Sequence, residues 1–210
     1  MATEQRFEVL LFDLGYVLID FAGFEELGRL LPDASDVAAI RRQWIRSESV
    51  HLFESGAISS GEFGLRFVEE WNLELSPEDF LGEFSSWPRG LYSGAGPLLQ
   101  RLRKTHRLAC LSNSNELHAH LHRQCLEPHL ERYYFSHELG LAKPQPEVFD
   151  RVIEKLACPP GRIAFFDDTA VNVQAGSSAG MNAYLVDGLE ALRVQLVSLG
   201  LLGVETSEPG

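Results

Sequence analysis

The chain has 210 residues, of which 45% are apolar, and carries a formal net charge of −12 at pH 7. This length allows a proper core, as one domain or as one domain carrying an insertion. The acidic balance argues against a nucleic-acid groove or an anionic membrane surface, because both require a basic face. An anionic substrate must therefore be held by local positive groups or by a bound cation.

The cysteines and the N-terminus indicate where the protein works. Cys110, Cys125 and Cys158 are odd in number and lack metal-ligand spacing, which favours a reducing compartment. No basic region precedes a long apolar stretch, and no window approaches about 18 uncharged apolar residues, so neither a signal peptide nor a membrane span is expected. We expect a soluble cytoplasmic protein.

The first predicted strand is the apolar run FEVLLFD at residues 7–13, which ends on Asp13. The stretch 21–91 that follows has no strand pattern but several helical signals, including a Ser59 to Glu62 capping box. Ser76 before a proline opens another helix in this stretch. We therefore read the stretch as a helical insertion.

Three later apolar runs predict further strands, at residues 106–112, 162–168 and 182–186. They are nearly continuous in apolar residues, as expected for strands that are covered on both faces. Helical patterns precede each run and follow the last one. This alternation of strands and helices is typical of a parallel α/β sheet.

Polar residues stand at the ends of three predicted strands: Asp13, Ser112 and the pair Asp167-Asp168. Each alone is as well explained as a helix cap or turn former. In an open parallel sheet, however, the carboxyl ends of the strands form the ligand-binding edge. Three carboxylates gathered there would repel one another unless a cation lies among them, and Mg²⁺ with oxygen ligands fits best.

Two further segments could bind an anion. In SNSNELH, the backbone N–H groups at Asn113 and the Ser112 hydroxyl form a cradle, unless Ser112 and Asn115 simply cap the helix that follows. Lys143 is one of three lysines and lies in GLAKPQPEVF, where the prolines keep it outside the next helix. Its ammonium could neutralise a phosphate, although a lone loop lysine is usually solvated.

These segments together resemble the haloacid dehalogenase-like (HAD) hydrolase superfamily over essentially the whole chain. LLFDLGYVL is similar to the first motif of that family, LACLSNS to the second, AKPQPEVF to the third and AFFDDTAVNVQAGSSAGM to the fourth. The resemblance implies an α/β fold with a Rossmann-like parallel sheet core and an inserted α-helical cap. The implied boundaries are 1–20 and 92–210 for the core and 21–91 for the cap.

The resemblance also implies a Mg²⁺-dependent phosphatase, monomeric or homodimeric, that hydrolyses a small phosphorylated metabolite such as a sugar phosphate. Asp13 would be the nucleophile that forms an aspartyl-phosphate, while Ser112, the backbone of Asn113 and Lys143 would hold the phosphate. The remaining roles are implied residue by residue: Mg²⁺ would be bound by Asp13, by the backbone carbonyl of Gly15, by Asp168 directly and by Asp167 through water, with Asn172 steadying the fourth-motif loop.

Position 15 departs from the family pattern. Most family phosphatases have a second Asp two residues after the nucleophile as general acid and base, and here Gly15 stands in its place. Such a group contributes about 10²- to 10⁴-fold to the rate. A substitute could be His51, Glu54 or Asp20. The first motif also resembles that of a subgroup of the α-glucose-1-phosphate phosphatase kind, which has Asn where this chain has Tyr16.

Two other functions remain open from the sequence. In a haloacid dehalogenase, Asp13 would attack a carbon atom without the help of Mg²⁺. The acidic pair at 167 and 168 would then have no evident role. A degenerate domain that only binds a ligand or partner would explain Gly15 but not the retained site residues. In the cap, Arg41, Arg42, Trp44 and Arg46 are candidates to face the cleft, although a helix with three arginines is usually a solvated face.

Overall fold

The computed structural model describes residues 6–31 and 36–203. Its strands, in chain order, are β1 (Val9–Phe12), β2 (Ile19–Phe21), β3 (Pro88–Leu91), β4 (Arg107–Ser112), β5 (Arg132–Phe135), β6 (Ile163–Asp167) and β7 (Asn182–Leu185). A parallel five-stranded sheet has the order β5-β4-β1-β6-β7. Strands β2 and β3 form a separate antiparallel pair.

Helices flank the large sheet and fill the segment between β2 and β3. They are α1 (Gly23–Leu30), α2 (Val37–Trp44), α3 (Glu48–Glu54), α4 (Ser60–Glu70), α5 (Pro77–Ser85), α6 (Ala95–Leu102), α7 (Glu116–Leu126), α8 (Ser136–Leu139), α9 (Pro146–Leu156), α10 (Ala170–Ser178) and α11 (Gly188–Ser198), with a 3₁₀ turn at Pro160–Arg162. None of these described helices combines the length and the apolar character that a membrane span needs.

The predicted α/β fold with a parallel sheet is confirmed, because the four predicted strands correspond to β1, β4, β6 and β7. The sequence did not indicate β5, a four-residue strand at the sheet edge whose first residue, Arg132, is exposed. The reading of 21–91 as free of strands was wrong, since β2 ends at Phe21 and β3 lies within that stretch. Pro88 and Gly90 disfavour a strand pattern, and β3 is stabilised by its pairing with β2.

The large sheet is buried on both faces. Along β1, Leu10 and Phe12 point into one apolar cluster, while Val9 and Leu11 point into a second cluster on the opposite face. All four side chains are fully buried. This alternation within an unbroken apolar run is the arrangement expected for a strand that is covered by helices on both sides.

The helices α1 to α5 pack around a third apolar cluster of their own, rich in aromatic rings such as Phe63, Phe67 and Phe80. Ser59 and Ser76 are the N-caps of α4 and α5, as predicted, and each side chain accepts a hydrogen bond from a backbone N–H of the first turn. The segment leaves the core through β2 and returns through β3. Its role as a cap with boundaries at 21 and 91 stays a prediction.

Candidate active site

The register of the large sheet brings the strand-end residues together. Phe12 is paired with Cys110 on β4 and with Phe166 on β6, so Asp13 lies beside the carboxyl ends of both neighbouring strands. The backbone N–H of Asp13 donates to the carbonyl of Phe166 at 2.8 Å. Ser112 and Asp167 are the last residues of β4 and β6. All three therefore lie at one edge of the sheet.

Lys143 is held inside this edge and not in solvent. Its side chain is 1% exposed, and Nζ lies 2.9 Å from Oδ1 of Asp13 and 2.6 Å from Oδ2 of Asp167. The Asn113 side chain fixes the lysine backbone, because Nδ2 donates to the carbonyl at 2.9 Å and Oδ1 accepts from the N–H at 2.8 Å. The sequence indicated Asn113 only as a backbone donor, so these two hydrogen bonds of its side chain were not predicted.

Asp167 is fully buried and its oxygens are engaged by neighbouring donors. Oδ1 accepts from the backbone N–H of Thr169 at 2.8 Å and from Nδ2 of Asn172 at 3.1 Å, while Oδ2 accepts from Lys143. A carboxylate satisfied in this way is suited to positioning a lysine. The roles of Asp167 as an indirect metal ligand and of Asn172 in steadying the loop stay predictions.

Asp168 links the sheet edge to the helical segment. Its Oδ2 accepts a hydrogen bond from Nη2 of Arg41 at 2.7 Å, and its Oδ1 accepts one from the hydroxyl of Thr169 at 3.1 Å. The Arg41 guanidinium also stacks over the ring of Tyr16, 4.6 Å from the centroid. Of the four candidates around α2, Arg41 and Trp44 line the cleft, whereas Arg42 and Arg46 are exposed, and Arg46 lies beyond the end of the helix.

The charges at this edge act strongly on one another. Burial raises the pKa of Asp13 to about 7, the ammonium of Lys143 opposes that rise, and repulsion from Asp167 and Asp168 adds to it. Burial would lower the pKa of Lys143, but the carboxylates of Asp13 and Asp167 outweigh it and raise that pKa. Burial and repulsion by Asp167 also raise the pKa of Asp168. The edge therefore holds more negative charge than its cations neutralise.

The donor set fits a hard cation. Asp13, Asp167 and Asp168 each offer a carboxylate oxygen, and these atoms lie within 4.8 Å of one another. A cluster of oxygens without nitrogen or sulfur ligands suits Mg²⁺ or Ca²⁺ better than zinc. An added divalent cation would also relieve the repulsion that raises the carboxyl pKa values.

A cavity of about 350 Å³ opens over this edge, between the sheet and the helical segment. The predicted site residues that line it are Asp13, Gly15, Ser112, Asn113, Lys143, Asp168 and Asn172. His51 and Glu54 reach it from the helical segment, whereas Asp20 is not among its lining residues. Asn115 caps α7, accepting from the N–H groups of Leu117 and His118 at 3.1 Å each, so the capping alternative holds for Asn115.

Two buried histidines in the cavity wall were missed by sequence reasoning. His118 and His122 lie one turn apart on α7, and the spacing in HAHLH could have indicated a shared helix face. Nε2 of His118 lies 2.8 Å from the carbonyl of Phe84, which joins α7 to α5. Burial lowers the pKa of His118 to about 4 and that of His122 to about 3. Both imidazoles are therefore neutral at pH 7.

These histidines predict a loss of stability in mild acid. Below pH 6.5 the unfolded histidines bind protons that the folded ones do not, so the free energy of unfolding should fall as the pH drops, by up to about 1.4 kcal/mol per pH unit for each histidine. Urea denaturation at pH 7 and at pH 5 gives the free energy of unfolding at each pH. The decrease in this free energy from pH 7 to pH 5 should be smaller for His122→Gln than for the wild type, by roughly 1 to 2 kcal/mol. The exposed His120→Gln should keep the wild-type difference. Equal differences in all three would contradict this assignment.

Comparisons with known proteins identify the family of this chain. The model of the haloacid dehalogenase-like hydrolase family matches residues 7–180. D-ribitol-5-phosphate phosphatase of Bacteroides thetaiotaomicron is 23% identical over 189 residues, covering 83% of this chain and 89% of the relative. Pyrimidine 5′-nucleotidase YjjG of Escherichia coli is 26% identical over 196 residues, covering 84% of each protein.

A solved structure has the same fold. It is a HAD family enzyme from Bacteroides thetaiotaomicron in complex with magnesium and inorganic phosphate, with a TM-score of 0.68 and 25% identity, and the match covers 86% of this chain and 94% of that one. The family match spans most of the chain and includes all four motif segments except Met181, the last residue of the fourth. The chain belongs to the family of haloacid dehalogenase-like hydrolases.

Proposed function

We propose that this hydrolase is a magnesium-dependent phosphatase that cleaves a small phosphomonoester through an aspartyl-phosphate on Asp13. The observation that carries the proposal is the position of Lys143, whose Nζ lies 2.9 Å from Asp13 and 2.6 Å from Asp167 at the base of the cavity. A fixed ammonium beside a carboxylate nucleophile offsets the charge of an incoming phosphate. The magnesium and phosphate in the related structure support this assignment.

The chain's own residues would carry the transfer as follows. An oxygen of Asp13 attacks phosphorus while Lys143, the Ser112 hydroxyl and the backbone at Asn113 hold the phosphate oxygens. Magnesium, held by Asp13, Asp168 and the Gly15 carbonyl, with Asp167 acting through water, would cancel phosphate charge. Asn172 keeps Asp167 in place beside the lysine. Water then hydrolyses the aspartyl-phosphate and releases inorganic phosphate.

The two alternatives explain less of the site. A dehalogenase that uses Asp13 on carbon needs no cation, which leaves the approach of Asp168 to Asp13 without a purpose. A degenerate binding domain has no need for a buried Lys143 between two carboxylates, because burying such charges is costly. Hydrolysis of phosphomonoesters accounts for both features.

The size of the cavity favours a small substrate. Its volume is about 350 Å³, and its wall combines aromatic rings such as Phe21 and Phe84 with polar groups such as Asn115. Such a mixture suits a phosphorylated sugar, polyol or nucleoside. We propose a phosphorylated metabolite of this size, and the free state of all three cysteines is compatible with work in the cytoplasm.

The test is phosphate release from glucose 1-phosphate, ribitol 5-phosphate, uridine 5′-monophosphate and 4-nitrophenyl phosphate, with and without chelator. We expect turnover of at least one compound, a loss of more than about 10²-fold on chelation, and recovery when Mg²⁺ is added back. Turnover that is unchanged by the chelator would exclude a requirement for a metal ion. An absence of turnover across a broader panel of phosphomonoesters would favour the binding-domain alternative.

A further inference from the structure

We propose that Glu54 is the general acid and base of this site and takes the role that Gly15 leaves empty. The inference rests on the proposed phosphatase function and adds a catalytic residue to it. Glu54 belongs to the helical segment, and it lines the same cavity as Asp13. Position 15 has no side chain that could move a proton, so a side chain in this role would have to lie on another wall of the cavity.

Glu54 is held over the sheet edge by the way its helix contacts the core. It is the last residue of α3, and the turn that follows contains Gly56 with a φ of +71°. A Cβ at Gly56 would lie 2.5 Å from the carbonyl oxygen of His137, so this turn lies directly against α8 of the core. The close contact fixes the end of α3 relative to the catalytic edge.

The surroundings of the Glu54 carboxyl connect it to the phosphate-binding groups. It lines the cavity together with Asn113, Trp44, Lys143 and Asp13. The side chains of Asn113 and Trp44 and the charge of Lys143 lower the pKa of Glu54, whereas the charge of Asp13 raises it. The side chain of Asn113 forms hydrogen bonds with both the N–H and the carbonyl of Lys143. The carboxyl therefore lies beside the groups that would hold the transferring phosphate.

The protonation of Glu54 suits both halves of the reaction. Burial raises the pKa of Glu54 to about 7, and the ammonium of Lys143 partly opposes that rise. A carboxyl that is half protonated near neutral pH can donate a proton in one step and accept one in the next. Ordinary surface carboxyls are ionised at this pH and can only accept.

The other two candidates are less suitable. His51 is exposed, and its Nε2 lies 2.7 Å from the backbone carbonyl of Ile45 in its own segment. Asp20 lies in β2 and does not line the cavity. Among the three substitutes that the sequence suggested, Glu54 alone combines the cavity wall with contacts to the catalytic edge.

The proton balance closes over the two steps. When Asp13 attacks phosphorus, the bond from phosphorus to the ester oxygen breaks and Glu54 gives its proton to that oxygen, which leaves as an alcohol. Water then forms a bond to phosphorus and gives a proton to Glu54, and the bond from phosphorus to Asp13 breaks. Asp13 and Glu54 return to their starting states, and the products are an alcohol and inorganic phosphate.

The experiment compares good and poor leaving groups in Glu54→Gln. We expect a fall in kcat/KM of about 10²-fold or more for an alkyl phosphate, which needs its leaving oxygen protonated, and a much smaller fall for 4-nitrophenyl phosphate. Glu54→Met, of similar length, should show the same dependence on the leaving group. Glu48→Gln, exposed on the same helix, should behave as the wild type.

A rescue variant distinguishes catalysis from a structural role. A Cβ at Gly15 would lie 3.7 Å or more from Phe21, an ordinary contact distance, so the site has room for a side chain there. Gly15→Asp in the Glu54→Gln background should restore part of the alkyl phosphate activity. Equal losses on both substrates without rescue would overturn the role of Glu54. If the wild type hydrolysed none of the phosphomonoesters, the phosphatase function itself would fail.

Discussion

Asp13→Asn should abolish phosphate release, lowering turnover by about 10⁴-fold or more, because an amide oxygen cannot form the covalent intermediate. The fold should survive, since Asn is isosteric and Lys143 keeps its 2.6 Å contact with Asp167. The measurement is single-turnover phosphate release at saturating substrate and Mg²⁺, together with the melting temperature.

The matched control for this variant is Asp150→Asn, which changes an exposed carboxylate on α9. It should keep full activity. Brief incubation of the wild type with substrate, followed by acid quenching, should trap phosphate on Asp13 and on no other residue. If Asp13→Asn retained more than about a tenth of the wild-type rate, Asp13 could not be the nucleophile.

Lys143→Met should damage both stability and activity. The variant leaves the carboxylates of Asp13 and Asp167 buried without their shared cation, and removing one partner of a buried ion pair costs about 3 to 5 kcal/mol. Phosphate release should fall as well, because no ammonium remains to hold the phosphate. Urea denaturation measures the first effect, and the kinetic assay measures the second.

Two further variants show whether unpaired charge causes the loss. Lys143→Met combined with Asp167→Asn should recover part of the stability, because it removes one of the carboxylates left unpaired. Lys104→Met, at an exposed lysine, should stay within about 0.5 kcal/mol of the wild type. A Lys143→Met protein as stable as the wild type would contradict the ion-pair geometry at this edge.

The contact between Arg41 and Asp168 has no counterpart in the motif pattern. The guanidinium lies 2.7 Å from Asp168 and stacks on Tyr16, so the helical segment touches the catalytic edge directly. Tyr16 itself takes a φ of 59° and stacks on Phe24 of α1, with ring centroids 5.5 Å apart. The residue that departs from the subgroup pattern therefore helps to close the cavity on the side of the helical segment.

The sequence predicted the large sheet because its strands are long apolar runs ended by polar residues. The apolar run at 7–13 and the two acids at 167 and 168 can be recognised from composition alone, and the order of the motifs identifies the family. The sequence did not predict β5 or the β2–β3 pair, because short strands that contain Arg, Pro or Gly depend on pairing with a neighbouring strand.

By itself, then, the sequence determined the α/β fold, the family and the gathering of Asp13, Ser112, Lys143 and Asp168 at one edge of the sheet, because strand ends and special turns leave local patterns. The tertiary structure alone decided that His51 and Glu54, but not Asp20, line the cavity that contains Asp13. It also decided that the Asn113 side chain forms hydrogen bonds with the Lys143 backbone and that Arg41 donates a hydrogen bond to Asp168. The physical reason is that these contacts join residues tens of positions apart, through packing that no local spacing of residues records.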